Sequence, residues 1–410
     1  MKFLKQTYFF AINSVRRMWK APLPFIIAFV LPVLAWTCLA LTYQHSTIED
    51  IPIAVVDLDN SPMSRMATRY LDGTGTLKLI DTYSNPAQAE EKFQRQETYY
   101  IVTFPKDFQK NIKLGGSTQV TIQFNGGKLI YAKIGYKAIA QCLSTISAGI
   151  NIKRLEAKGL APDDAKAKAV PVTTQLNVIG NPYFDYGIYL IPGMLFALLQ
   201  MSASTCSLWV FRARREGNDS VPLAPTALND LRSRTTNGVG RIIPNFETLL
   251  PYMLGQLFPL MLANALALAV MFLVIFPLVN FPITGTYFEL FIFSCFFALV
   301  AMGIGAFLSI NMRNLVTASQ MLLIINAPAF VFGGYTFPTW AMPDWVQFLS
   351  QLMPLTHFLD GFFPLFIYGT PTGRGIIPLL ITGGVFWGGT ILSVLFYDSI
   401  NRFKSHIRIN

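Results

Sequence analysis

Six stretches of the chain carry no Asp, Glu, Lys or Arg over lengths that reach the ~20 residues a helix needs to cross a bilayer. They lie within residues 21–48, 186–211, 248–288, 290–312, 314–343 and 375–397. Hydrocarbon offers no hydrogen-bond partners, so each stretch must satisfy its own backbone, which a helix does within one segment. The third is too long for one helix; Pro277, Asn280, Pro282 and Gly285 mark where it ends and a short turn leads to the fourth. With 52% hydrophobic and 13% charged residues over 410 positions, lipid rather than water is the expected solvent for much of the chain. The predicted class is an α-helical polytopic membrane protein with six transmembrane helices.

The net charge of +10 sits beside these windows and through one polar segment, without an Arg-rich stripe. That argues against a nucleic-acid partner and for membrane orientation. Lys2, Lys5, Arg16, Arg17 and Lys20 precede the first window, and Arg212, Arg214, Arg215, Arg232, Arg234 and Arg241 follow the second. Arg313 follows the fourth, and Arg402, Lys404 and Arg408 follow the sixth. The connection after the third has no Lys or Arg, and that after the fifth only Arg374. The positive-inside rule then predicts cytoplasmic termini and places residues 49–182 outside. The first window exceeds the core of a secretory signal and lacks a small-residue cleavage site, so it is expected to remain as a span.

In residues 1–20, Leu4, Tyr8, Ala11, Ile12, Val15 and Trp19 share one helical face, while Lys5, Gln6, Asn13, Arg16, Arg17 and Lys20 occupy the other. Phe9 breaks the pattern. Such a helix is predicted to lie along the cytoplasmic membrane surface, its basic side toward lipid phosphates or a partner. Residues 49–182 alternate between strands, at 51–57, 77–80, 99–104, 119–124 and 172–179, and helices at 62–71, 86–95 and about 132–158. The alternation predicts an α/β (α+β) extracytoplasmic domain inserted between helices 1 and 2. Residues 183–410 then hold helices 2–6, with a cytoplasmic loop at 212–247 and an outer interfacial or re-entrant segment at 337–373.

Asp57-Leu58-Asp59-Asn60-Ser61 puts two carboxylates at a strand end, as in a phosphotransferase or metal loop. The plainer reading is that Ser61 caps a helix beginning at Pro62, with the aspartates near its positive end. A phosphate cradle closing in Gly-Lys-Ser/Thr is absent: Gly126-Gly127-Lys128 runs into Leu129. His45, His357 and His406 are far apart with no nearby cysteine or acidic cluster, so no metal site is expected. Cys38, Cys206 and Cys295 fall inside apolar windows, which leaves Cys142 alone in the polar segment and permits no disulfide there. Ion-coupled transport usually shows ionisable residues within spans, and these windows have none.

What the windows hold is mild polarity: Gln200, Ser204 and Ser207 in the second, Gln256 and Asn264 in the third, Ser319 and Asn326 in the fifth. These either hydrogen-bond between helices or, with Met201 and Phe330 alongside, line a path for a hydrophobic or amphipathic substrate. The segment 337–373 is outside by topology yet aromatic and interrupted by prolines. Short interfacial helices are expected there, either an aromatic belt or an outer gate involving Phe337, Trp340, Trp345 and His357.

Three groups of residues carry a resemblance: Val55-Val56-Asp57-Leu58-Asp59-Asn60-Ser61 through Ser64; Tyr100 through Phe108; and Asn181-Pro182 followed by Ile191-Pro192-Gly193. Phe337-Pro338, Met342-Pro343-Asp344-Trp345 and Met353-Pro354-Leu355-Thr356-His357 extend it. Over nearly its full length the chain resembles an ABC-2 type permease with a large external domain between its first two spans, a group that contains bacterial drug and lipid exporters. The resemblance implies a subunit of a bacterial inner-membrane exporter with no catalytic residue and no cofactor of its own, ATP and Mg belonging to a separate cytoplasmic ABC ATPase. It implies a second permease copy or homologous permease as dimer partner, membrane lipid as surroundings, and it admits a periplasmic adaptor. The ATPase would dock on the N-terminal helix and the loop after span two, here through Arg16, Arg17, Arg212, Arg214, Arg215, Glu216 and Gly217. That loop is more basic than the family pattern and is followed by an extra polar stretch at 229–245. A competing expectation is a membrane-anchored surface receptor or interaction protein without transport.

Overall fold

The computed structural model describes residues 2–20, 22–43, 48–171, 180–181, 185–215, 246–312, 314–370 and 373–407. They divide into two units, residues 1–44 with 179–410 and residues 45–178. In the first, each apolar window becomes one long helix: Leu23–Thr42, Gly187–Phe211, Leu250–Leu278, Tyr287–Asn311, Leu315–Phe332 and Gly375–Phe396, here spans 1 to 6. Span 3 ends at Leu278, and Asn280 turns the chain with φ of 54°. Span 4 begins earlier than expected, at Tyr287, so Glu289 lies in its first turn and the span is not free of charge. A carboxylate there complements the positive end of the helix dipole, which is why the helix can start before it.

Two spans contain a π turn, Ile26–Val30 ahead of Pro32 and Met271–Ile275 ahead of Pro277. Proline has no amide to bond four residues back, and the wider turn accommodates the gap. Spans 2 and 4 form the centre, with 61% of each buried against 22% for spans 1, 5 and 6. They approach so closely that a Cβ on Gly305 would collide with the Ser204 carbonyl. The Ser207 hydroxyl donates to the Met302 carbonyl at 2.6 Å across the same contact. Trp36 ties span 1 to the Leu195 carbonyl and Trp387 ties span 6 to the Leu299 carbonyl, each at 3.1 Å.

The expected interfacial segment resolves into two helices of different character. Asp344–Gln351 leaves Trp345 and Phe348 exposed, whereas Pro354–Tyr368 turns back into the bundle and buries Phe358, Phe362 and Phe366. Phe358 stacks on Phe297 of span 4 at 4.3 Å and meets Phe196 of span 2 at 4.5 Å. At the other end of the chain, the helix Lys2–Lys20 packs on span 3 through Phe10 and Ser14, which lie off the apolar face read from the periodicity. Leu4, Tyr8, Val15 and Trp19 stay exposed. An apolar stripe on a surface helix reports the lipid around it, so the pattern does not identify which side meets protein.

The inserted unit is a four-stranded sheet of order β2-β1-β3-β4, with β1 Ile51–Asp57, β2 Leu77–Tyr83, β3 Tyr100–Phe104 and β4 Thr121–Phe124. The first three are parallel and β4 is antiparallel. Central β1 is buried almost throughout, as a strand covered on both faces must be. Helices Pro62–Asp72 and Leu129–Glu156 cover one face through Leu71 and Ile139, and Pro86–Gln94 covers the other through Ala89. Short helices Phe108–Lys113 and Pro162–Ala169 were not expected from the pattern. The strand expected at 172–179 lies outside the described residues.

At the Asp57 loop, Asp57 Oδ1 accepts from the Asp59 and Asn60 amides, and Oδ2 accepts from the Ser64 hydroxyl at 2.6 Å. Ser61 and Ser64 form a reciprocal capping box at the helix start. Both Asp57 oxygens are thus committed to shaping the turn, which matches the capping reading.

Candidate substrate path

The candidate path residues fall into two sets. Gln200 Nε2 donates to Asn326 Oδ1 at 2.9 Å, Asn326 Nδ2 donates to Ser204 Oγ at 3.0 Å, and Ser204 Oγ donates to the Gln200 carbonyl at 2.6 Å. Gln200, Ser204 and Asn326 are all buried, so this is a closed amide-hydroxyl link between spans 2 and 5. Met201 and Ser319 lie on the same two spans but point outward, Met201 being 46% exposed. Interhelical bonding and exposed side chains thus coexist on one pair of helices. Among the described residues Gln200 Oε1, Gln256 Nε2 and Asn264 Oδ1 are buried without a hydrogen-bond partner.

Phe330 is half-buried, its ring 6.1 Å from that of Tyr335. Tyr335 stacks between Tyr189 at 5.2 Å and Phe363 at 5.0 Å, and the Tyr189 hydroxyl donates to the Tyr335 carbonyl at 2.9 Å. Sequence reading passed over Tyr335 and Tyr189. The available signal was Gly193 in Ile191-Pro192-Gly193: any Cβ there would strike the Tyr335 ring. Of the four gate candidates, Phe337, Trp340 and Trp345 are exposed, Trp340 most of all. His357 is buried, with Nε2 2.8 Å from the Gln351 carbonyl, so it is separated in character from the other three. Glu289, also missed, lines a small apolar pocket with Phe288, Phe293 and Phe296.

The docking candidates are only partly placed. Arg16 is exposed beside an apolar groove. Arg17 belongs to the N-terminal helix, and Arg212, Arg214 and Arg215 to the last turns of the span 2 helix, Tyr186–Arg215; their side chains lie outside the described set. Glu216 and Gly217 lie outside the described residues altogether.

A family described as "ABC-2 family transporter protein" matches residues 24–218, and one described as "ABC-2 type transporter" matches residues 242–367. The chain is 18% identical over 333 residues to the "Probable multidrug ABC transporter permease YbhR" of Escherichia coli, covering 81% of this chain and 82% of that protein. It is 26% identical over 161 residues to the E. coli protein "Probable multidrug ABC transporter permease YbhS", covering 38% and 40% of the two chains. Identity to "ABC transporter G family member 20" of Dictyostelium discoideum is 21% over 314 residues, 75% of this chain and 39% of that protein. Six spans, a sheet domain between the first two, and matches running through both halves establish that the chain belongs to the ABC-2 transporter permeases.

Proposed function

We propose that this permease exports a hydrophobic or amphipathic compound across a bacterial inner membrane, energised by an ABC ATPase on a separate polypeptide. The observation that supports this most is the pairing of spans 2 and 5, where a buried polar link, Gln200–Asn326–Ser204, joins two helices that also carry the exposed residues Met201 and Ser319. These exposed side chains are a flexible thioether and a hydroxyl rather than charges, chemistry suited to apolar solutes of varied shape. The relatives' description as multidrug permeases favours the same substrate class. Resemblance to two differently named permeases of one organism favours a pair of homologous subunits, or two copies of this one. The ATPase would dock on the N-terminal side, using Arg17, Arg212, Arg214, Arg215, Glu216 and Gly217, with both termini cytoplasmic.

The test is ATP hydrolysis by the chain reconstituted with its ATPase in nanodiscs, with and without a hydrophobic dye such as rhodamine 6G. Stimulation by the dye is expected, and Glu216→Ala with Gly217→Pro should abolish that stimulation while the subunits still copurify. A chain that captures no ATPase, or whose hydrolysis ignores every apolar compound, fits the surface-protein reading instead.

A further inference from the structure

A second apolar site lies away from spans 2 and 5. The N-terminal helix and span 3 enclose a groove of about 800 Å³ lined by Leu4, Tyr8, Ala11, Val15, Leu257 and Phe258, among others, with Arg16 also on its wall. That volume is within the range of sites that hold a small organic molecule. Its floor is fixed by a tight crossing: a Cβ on Gly255 would strike Phe10, and the Ser14 hydroxyl donates to Gln256 Oε1 at 2.9 Å on the far side. The helix is thus held against span 3 along one edge, while its apolar stripe stands open along the other.

Depth and charge identify the occupant. Span 3 begins at Leu250, and the groove uses it from Leu254 to Met261, about 6 to 17 Å along the axis at 1.5 Å per residue. Leu299, on the wall contributed by span 4, lies about 18 Å from the Asn311 end of that helix. Leu254–Met261 thus lies in the first half of span 3 and Leu299 near the middle of span 4, along stretches long and apolar enough to sit in hydrocarbon. A protein docking from water does not reach that depth, whereas a lipid chain occupies it by default. Arg16 is exposed, and no Asp or Glu precedes Glu49 in the chain, so the helix that carries Arg16 supplies only cationic groups.

We propose that this groove is a phospholipid site: one acyl chain lies between the N-terminal helix and span 3, and the Arg16 guanidinium holds the phosphate of an anionic headgroup. Arg16 is then a lipid ligand and not part of the ATPase surface. The site stands apart from the export reading, since lipid retention is measured without ATP, partner or transported compound.

The experiment is native mass spectrometry of the purified full-length chain, titrated in detergent with dioleoyl phosphatidylglycerol or dioleoyl phosphatidylcholine. One saturable phosphatidylglycerol per chain is expected, preferred over phosphatidylcholine by about fivefold, the discrimination one arginine provides near a lipid surface. Arg16→Gln should remove that preference while leaving weaker chain binding in place. Ala11→Trp should fill the groove and lower retention of both lipids, with gel filtration to confirm that the variant remains folded. Equal retention of the two lipids, non-saturable binding, or an Arg16→Gln chain that keeps its preference overturns the proposal. So does an Arg16→Gln chain that loses ATPase capture with lipid retention unchanged, which would return Arg16 to docking.

Discussion

The two units bury polar side chains in opposite ways. In the inserted domain Asp57, 2% exposed, has both oxygens filled by three donors within one loop. In the membrane unit Gln200, Gln256 and Asn264 are as deeply buried, yet each has one amide atom without a partner among the described residues. An unpaired amide in an apolar setting costs on the order of 1–3 kcal/mol, so a bundle that keeps several is held together by something else. That something is close packing: Gly305 against the Ser204 carbonyl, Gly193 against Tyr335, Gly375 against the His357 carbonyl. The Asp57 loop is pinned by saturated hydrogen bonds, whereas the bundle joins close packing to bonds such as Ser207–Met302 and Gln200–Asn326 and tolerates unpaired amide atoms beside them.

The sharpest way to break this contrast is to spoil the packing. Gly305→Leu has no room, because its Cβ meets the Ser204 carbonyl and lies 2.8 Å from the Leu208 amide nitrogen. Backbone cannot rotate away as a side chain can, so spans 2 and 4 must separate, at a cost of about 3 kcal/mol or more. Gel filtration after mild heating should show collapse of the folded fraction, whereas Gly384→Leu, with nothing near its Cβ, should behave as the parent does. Equal survival of the two variants would mean that shape does not hold the bundle.

The counterpart in the inserted domain is Asp57→Ala. It strands the Asp59 and Asn60 amides and the Ser64 hydroxyl at once, a loss of about 3 kcal/mol when the missing acceptor is a buried carboxylate. Hydrogen exchange of the β1 amides in the full chain should accelerate accordingly. If Gln200→Ala destabilises its own unit more than Asp57→Ala does, the assignment of hydrogen bonding to one unit and packing to the other is reversed.

What the sequence disclosed follows the same division. Charge-free windows located six spans because lipid penalises every buried charge alike, and the penalty is local. Ser61-Pro62 disclosed a helix start for the same reason: a cap is satisfied within four residues. The Gln200–Asn326 bond joins residues 126 apart, and no periodicity encodes which polar groups on different helices meet. Tyr335 was hard to find because its stacking partners come from span 2 and from the helix Pro354–Tyr368, and Gly193 marked only that something packs closely there. Phe10 was overlooked because the strongest stripe on the N-terminal helix faces outward, and the residue that anchors it lies off that stripe.

The Gln200–Asn326 pair offers a smaller effect. In a double-mutant cycle with Gln200→Leu and Asn326→Leu, the coupling should be about 0.6–1.7 kcal/mol, the range found for polar contacts between membrane helices. Unfolding of the full chain in mixed micelles gives the four stabilities needed. Coupling well above that range would place Gln200 and Asn326 with Asp57, as structural groups, and weaken the case that spans 2 and 5 present a usable polar surface.

The smallest expected effect is one of pH, and it probes how completely the inserted domain satisfies its carboxylates. Burial alone would raise the Asp59 pKa, but hydrogen bonds from the Ser61 hydroxyl and the Gln109, Phe108 and Asp107 amides outweigh it and hold the value below the ordinary one. The Gln109 contact is a direct 3.0 Å bond from amide to Oδ2. A carboxyl whose folded pKa is depressed contributes stability that is complete above its unfolded value, near pH 4, and is lost as pH falls through the folded value. Resistance of the inserted domain to pepsin should therefore decline below about pH 4. Asp59→Asn should flatten that decline while leaving the domain slightly less resistant at the upper end of the range. Asp59 is partly open to solvent, so the difference should be modest, smaller than any change made at Asp57. A decline equally steep in Asp59→Asn would show that the hydrogen bonds to Asp59 do not set the acid sensitivity of the inserted domain.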